Sequence, residues 1–176
     1  MKLLGICGVS GAGKTTLIEG LIAALRAHGQ TVSVIKHAHQ GFEPDASGKD
    51  TQRHSQAGAF EVLVASSLRL RKTREFDTPT QPTVHQLIGE LHDCDWVLAE
   101  GFRHADVLKI EVWRAAFGVA PQYPEDPFVI GIATDDPAAL PVATGRPVFR
   151  LGEAAVLAAY LLGQAERFQY RSELHV

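Results

Sequence analysis

At 176 residues, 45% apolar and 21% charged, the chain has the size and composition of one folded globular domain rather than a disordered segment. Its formal charge of −3 offers no general attraction to nucleic acid or to an anionic membrane, so neither is expected as a partner. Two cysteines, Cys7 and Cys94, are too far apart for a C-x-x-C site and are expected as buried reduced thiols rather than a disulfide or a metal site. The amino terminus lacks the form of a cleavable signal, and no apolar run approaches the roughly 18 residues of a membrane span. The expectation is a soluble, cytoplasmic protein.

The first element is a strand, Leu3 to Cys7, followed by Gly8-Val9-Ser10-Gly11-Ala12-Gly13-Lys14-Thr15-Thr16 and then a helical pattern with Leu17, Leu21, Ile22 and Leu25 on one face. Strand, G-x-x-x-x-G-K-[ST] and helix is the phosphate loop in the context that gives it meaning. Glycines let successive N–H groups turn inward around an anion, and the helix start adds a positive dipole end there. Gly8, Ser10, Gly11, Ala12, Gly13, Lys14, Thr15 and Thr16 are therefore expected to hold a nucleoside triphosphate. Lys14 should reach its β- and γ-phosphates, and the Thr15 hydroxyl should ligate Mg2+.

His28-Gly29 closes the helix, and Thr31 to Ile35, β-branched at four of five positions, is the second strand. Strand, loop, helix, strand is a βαβ unit of a parallel sheet. The segment from Lys36 to Gly58 is polar and turn-rich. Lys36, His37 and His39 either line the pocket as polar loop residues or join a metal site whose other ligands the spacing does not identify. A short helix is expected from about Asp50 to Gln56. Asp50 either joins the Mg2+ shell or serves as an ordinary acid at a helix start, and Lys49 or Arg53 could touch the γ-phosphate.

Phe60 to Ala65 reads as a strand, and Leu68-Arg69-Leu70-Arg71 alternates like a half-exposed antiparallel or edge strand. Thr83 is placed to cap a helix with Leu87, Ile88 and Leu91 inside. Asp95 to Gly101 is a buried strand that ends in an acid. Glu100, after four apolar residues and before a glycine, fits the second acid of a triphosphate site, near the metal. Asp95 begins the same strand and should lie at the wrong end, roughly 16 Å away by strand rise. Val107 to Trp113 and Phe128 to Ala133 are further strands, with a mobile proline-rich loop expected from Ala120 to Pro127. A short strand at Val148-Phe149 and a helix from Gly152 to Ala165 close the chain. After the strand ending at Thr134, Asp135 could accept hydrogen bonds from N1–H and the 2-amino group of guanine. It could equally be a turn residue before Pro137. The fold expected is one α/β phosphate-loop NTPase domain over 1–176, mostly parallel, with helices on both faces and an antiparallel β-ribbon extension at about 60–76.

The phosphate loop, Lys36-His37-Ala38-His39, Gly48-Lys49-Asp50 with Arg53, Ala57-Gly58-Ala59, Glu100-Gly101-Phe102 and Lys109-Ile110-Glu111 together resemble the molybdopterin-guanine dinucleotide biosynthesis protein B family, from residue 3 to about 136. Gln40 stands where that family often has a further histidine, and Thr51 where serine is common. Some related dimeric ATPases carry a lysine at the place of Val9. The resemblance implies a GTP-binding protein with weak GTPase activity, usually a homodimer, with Leu68 to Arg74 in the dimer contact. It also implies partners: the nucleotidyltransferase that joins GMP to molybdopterin, making the guanine-dinucleotide form of the molybdenum cofactor, and other cofactor-synthesis proteins. The alternative is a small phosphate-loop metabolic kinase. That reading needs an arginine-bearing lid, for which Arg69, Arg71, Lys72 and Arg74 are the candidates; the alternation of Arg69 and Arg71 favours a ribbon.

Overall fold

A computed structural model describes residues 1–38 and 49–171, and of residues 49 and 50 the backbone alone. Two compact units are formed, one by Met1–His37 with Thr83–Val176 and one by Ala38–Pro82.

The first unit is built on six strands in the order β2-β5-β1-β6-β7-β8, every neighbouring pair parallel. These are β1 (Lys2–Cys7), β2 (Val32–Lys36), β5 (Trp96–Glu100), β6 (Lys109–Val112), β7 (Val129–Thr134) and β8 (Val148–Arg150). A parallel sheet covered on both faces needs strands that are apolar throughout, and β5 and β7 are buried at every position. Alternate residues serve the two faces. Leu4 and Ile6 of β1, with Leu98 and Ile110, pack on Leu17, Leu21 and Leu25 of α1 (Lys14–Ala27) and on Leu157 and Leu161 of α4 (Ala154–Gly163). Leu3 of β1, with Val97 and Ala99, packs on Val84 and Ile88 of α3 (Val84–Ile88). The two helices on the first face approach closely, since a Cβ on Gly20 would lie 2.7 Å from the Ala154 side chain.

α3 owes its start to a capping box: Thr83 accepts from the Gln86 N–H, and the Gln86 side chain accepts from the Thr83 N–H. Cys7 and Cys94 are both free thiols, Cys7 buried as expected and Cys94 only half-buried, and burial pushes the Cys7 thiol up to about 12. No helix among the described residues is long and apolar enough to cross a membrane.

The second unit holds α2 (Lys49–Gln56) and an antiparallel pair, β3 (Glu61–Ala65) and β4 (Leu70–Arg74). Glu61 takes ion pairs from Lys72 and Arg74, which hold its carboxyl below the usual carboxylate range. The second ribbon strand starts at Leu70 rather than at Leu68. Ser66 closes a turn instead, its hydroxyl accepting from the N–H groups of Leu68 and Arg69.

One expectation fails. The loop from Ala120 to Pro127 is pinned rather than mobile: Tyr123 is fully buried, and the N–H groups of Gln122 and Tyr123 donate to the Glu111 carboxylate at 2.8 Å each. A buried acid on a neighbouring strand supplies the anchor that no local periodicity announces.

Candidate phosphate-loop site

The carboxyl ends of β1, β5 and β2 bring the expected site residues together. In register, Ile6 lies opposite Glu100, and Glu100 opposite Lys36, so Glu100 ends its strand beside the start of the phosphate loop. The loop backbone needs its glycines. Gly8, Gly11 and Gly13 have φ of 131, 78 and 106°, in the range where a side chain is strained. At Gly8 there is also no room, because a Cβ would sit 2.2 Å from the Val112 carbonyl oxygen of β6. α1 begins directly at Lys14, with Gly13 as its cap and no side chain capping its first N–H groups, which suits an anion as the partner of that helix end. The Lys14 ammonium folds back over the loop and donates to the Val9 carbonyl at 2.8 Å. Ala12 is buried beneath the loop, whereas Ser10, Gly11, Thr15 and Thr16 are exposed.

Thr15 and Glu100 meet, the hydroxyl donating to the Glu100 carboxylate at 3.1 Å. The Lys36 ammonium stands 3.6 Å from the other carboxylate oxygen. Glu100 is only 7% exposed, and beyond these two partners its carboxylate has no hydrogen bond or ion pair among the described residues. A hydroxyl and a carboxylate converging at the mouth of a phosphate loop form a hard-oxygen donor pair, the kind Mg2+ takes alongside phosphate and water. The residues fit the ion on that observation. Gly101 turns away at φ 92°, where a Cβ would press on the His37 carbonyl at 3.4 Å.

The remaining expected residues divide. Asp135, just after β7, accepts from Arg114 Nε at 2.7 Å, and this guanidinium holds its carboxyl below the usual range. His37 packs against Phe102 with ring centroids 5.4 Å apart. His39 and the side chains of Lys49 and Asp50 lie outside the described residues, so the Asp50 expectation for the metal shell does too. Among the described residues no three His, Cys, Asp or Glu side chains gather as a metal site. Asp95, at the far end of β5, accepts from the Thr31 N–H and hydroxyl at 2.7 and 2.8 Å, away from the loop as its position implies.

Sequence reasoning missed Lys109 and Glu111 as buried charges. Both occupy β6 and are 1% and 3% exposed. Lys109 donates to the carbonyls of Arg103 and Ala105 and to Asp126, and burial raises the Glu111 carboxyl above its ordinary value. The signal was present: two charges two residues apart in a strand otherwise apolar on both faces must each be partnered. Arg114 was missed for want of any local pattern.

Residues 3–135 match the family described as Molybdopterin guanine dinucleotide synthesis protein B. The chain is 39% identical over 140 residues to the molybdopterin-guanine dinucleotide biosynthesis adapter protein of Haemophilus influenzae, across 78% of this chain and 76% of that protein. With the protein of the same description from Escherichia coli K12 the identity is 38% over 148 residues, covering 81% and 83%. Among solved structures, Bacillus subtilis MobB superposes with a TM-score of 0.72 at 23% identity, over 93% of this chain and 98% of that one. A MobB homologue from Bacillus stearothermophilus gives 0.69 at 22%, over 95% and 99%. At those identities the structures speak for the fold, and the family match and the two adapter proteins speak for descent. The chain belongs to the MobB family.

Proposed function

We propose that this chain is a GTP-binding adapter in the synthesis of the guanine-dinucleotide form of the molybdenum cofactor, with slow GTP hydrolysis at most. The observation that carries the nucleotide reading is the Thr15 hydroxyl on the Glu100 carboxylate at the mouth of a glycine-strained phosphate loop. In it the loop N–H groups and Lys14 bind the phosphates, and Thr15 and Glu100 hold Mg2+, which neutralises phosphate charge when bound. Asp135, kept ionised and oriented by Arg114, accepts from the guanine edge. The related adapter proteins support placing the activity in molybdopterin-guanine dinucleotide synthesis. In this proposal the chain also acts in the cytoplasm, beside a nucleotidyltransferase and other cofactor-synthesis proteins.

A homodimer fits the ribbon, where Phe60, Leu63, Leu68 and Leu70 are 68%, 59%, 92% and 69% exposed. Leu70→Asp should shift the protein from dimer to monomer in light scattering; a dimer unchanged by that charge would remove the ribbon from the contact. The nucleotide reading is tested by side-by-side calorimetric titration with GTP, ATP and their diphosphates. Preference for GTP with slow turnover supports the adapter, whereas rapid diphosphate production on adding a small acceptor would replace it with a metabolic kinase.

A further inference from the structure

Lys109 is the one lysine in the described core, and the apparatus around it reaches the loop that leaves Glu100. Its ammonium has three donors and three acceptors: the Ala105 carbonyl at 2.7 Å, Asp126 Oδ2 at 2.9 Å and the Arg103 carbonyl at 3.0 Å. The site is built for it from the neighbouring strand as well. Gly5 of β1 lies opposite Lys109, and a Cβ there would come within 2.9 Å of the Lys109 Cβ, so this glycine, outside the phosphate loop, makes way for the lysine stem. A buried ion pair is poor evidence for stability as such, since apolar replacements of similar volume are often neutral or better. What an apolar side chain cannot do is hold two carbonyls of one loop.

That loop has two anchors. At its start the Gly101 N–H donates to the Ile6 carbonyl at 3.1 Å, and at its end Lys109 holds Arg103 and Ala105. Between them the chain folds tightly, with Arg103 N–H on the Gly101 carbonyl and Ala105 N–H on that of Phe102. Glu100 lies directly before the first anchor. Its carboxylate is held by one hydroxyl and one mostly exposed ammonium, so its direction depends on the backbone that carries it.

We propose that Lys109 is a positioning residue for Glu100: by fixing the exit of the Glu100 loop it sets the affinity of the nucleotide site for Mg2+. The proposal rests on the assignment of Glu100 to the metal, and the experiment keeps the two apart. Calorimetric GTP titrations are run over a range of Mg2+ concentrations and again in chelator. In Lys109→Met the Mg2+ concentration for half-maximal GTP binding should rise about tenfold, the lower end of what lost outer-shell support costs a metal site. Affinity for GTP in chelator should stay within about twofold, because the phosphate loop itself is untouched. Asp126→Asn disturbs the same ion pair but leaves both carbonyls on the ammonium. It should lower thermal stability while the Mg2+ midpoint stays in place, which a merely structural role for Lys109 does not predict. If Lys109→Met fails to fold, the double variant Lys109→Met with Asp126→Leu leaves no unpaired buried charge and carries the same expectation. A folded variant without Lys109 whose Mg2+ midpoint matches wild type overturns the proposal, as does an Asp126→Asn midpoint that moves equally far. Glu100→Gln is the control: no shift there removes the metal assignment, whereas a shift there with none at Lys109 removes this inference alone.

Discussion

The two ends of β5 carry one acid each, and they are treated in opposite ways. Asp95 at the amino end has a backbone N–H and a hydroxyl from Thr31 within 2.8 Å, partners that prefer it charged and hold its carboxyl below the ordinary value. Glu100 at the carboxyl end is more buried, yet it has only the Thr15 hydroxyl and a Lys36 ammonium 3.6 Å away. The first arrangement sets both Thr31 donors on one oxygen, Oδ2, of a half-buried carboxylate and ties the start of β5 to the segment entering β2. The second leaves a carboxylate with acceptor capacity at the end of the sheet where open α/β folds bind ligands. The difference teaches that an acid's place along the sheet, and what faces it there, separates a structural role from a ligand-directed one more clearly than its burial does.

The largest effect that would break this contrast is at the phosphate loop. Lys14→Ala should abolish measurable triphosphate binding, a loss of about 100-fold or more from one charge-assisted contact removed beside several others. Unchanged affinity by calorimetry would take the ligand away from this end of the sheet. Thr15→Val comes next. It keeps the shape but removes the hydroxyl that meets Glu100, so Mg2+ should cease to strengthen GTP binding, a loss of about tenfold, while binding in chelator is retained. Asp135→Asn should weaken GTP by up to about tenfold and ATP hardly at all, because only guanine offers two donors to a carboxylate. Equal losses for both nucleotides would leave Asp135 as the partner of Arg114 and nothing more.

The contrast also explains what could be read before the fold was known. The strands β1, β5 and β7 were legible because parallel strands buried on both faces are largely apolar runs, the edge strand β2 by its β-branched residues, and the phosphate loop because its glycines and Lys14-Thr15 occupy fixed spacings. Glu100 was legible as an acid after four apolar residues. For Lys109 and Glu111 the need of a partner was legible but the partners were not, since these lie in loops whose approach depends on the sheet. Asp126 is 17 residues from Lys109, and the Gln122 and Tyr123 N–H groups are 11 and 12 from Glu111. The expectation of a mobile loop at 120–127 failed for the same reason. Prolines and charges describe a segment's local freedom, not the buried acid that will seize its backbone. The start of β4 slipped by two residues because the Leu68–Arg71 alternation continues through the turn that Ser66 closes.

The smallest effects, on stability against pH, should separate Asp95 from Glu111 by sign. Asp95 has a folded pKa below its ordinary 3.8, so its contribution is present above that value and is lost as pH falls through the lower folded value. Wild type should therefore gain on Asp95→Asn as pH rises from acid towards 5. Glu111 runs the other way. Burial raises its folded pKa above 4.5, outweighing the Gln122 and Tyr123 N–H groups that favour the charged form. Its contribution is complete below 4.5 and declines as pH rises through the folded value. Relative to Glu111→Gln, wild type should lose stability between pH about 4.5 and neutrality. Denaturant midpoints for the two pairs across pH give slopes of opposite sign if partners decide the first acid and burial the second. Slopes of the same sign would mean that the Gln122 and Tyr123 N–H groups overcome burial at Glu111, making it a charged anchor like Asp95 and leaving Glu100 as the one of these three acids that stands at the mouth of the phosphate loop.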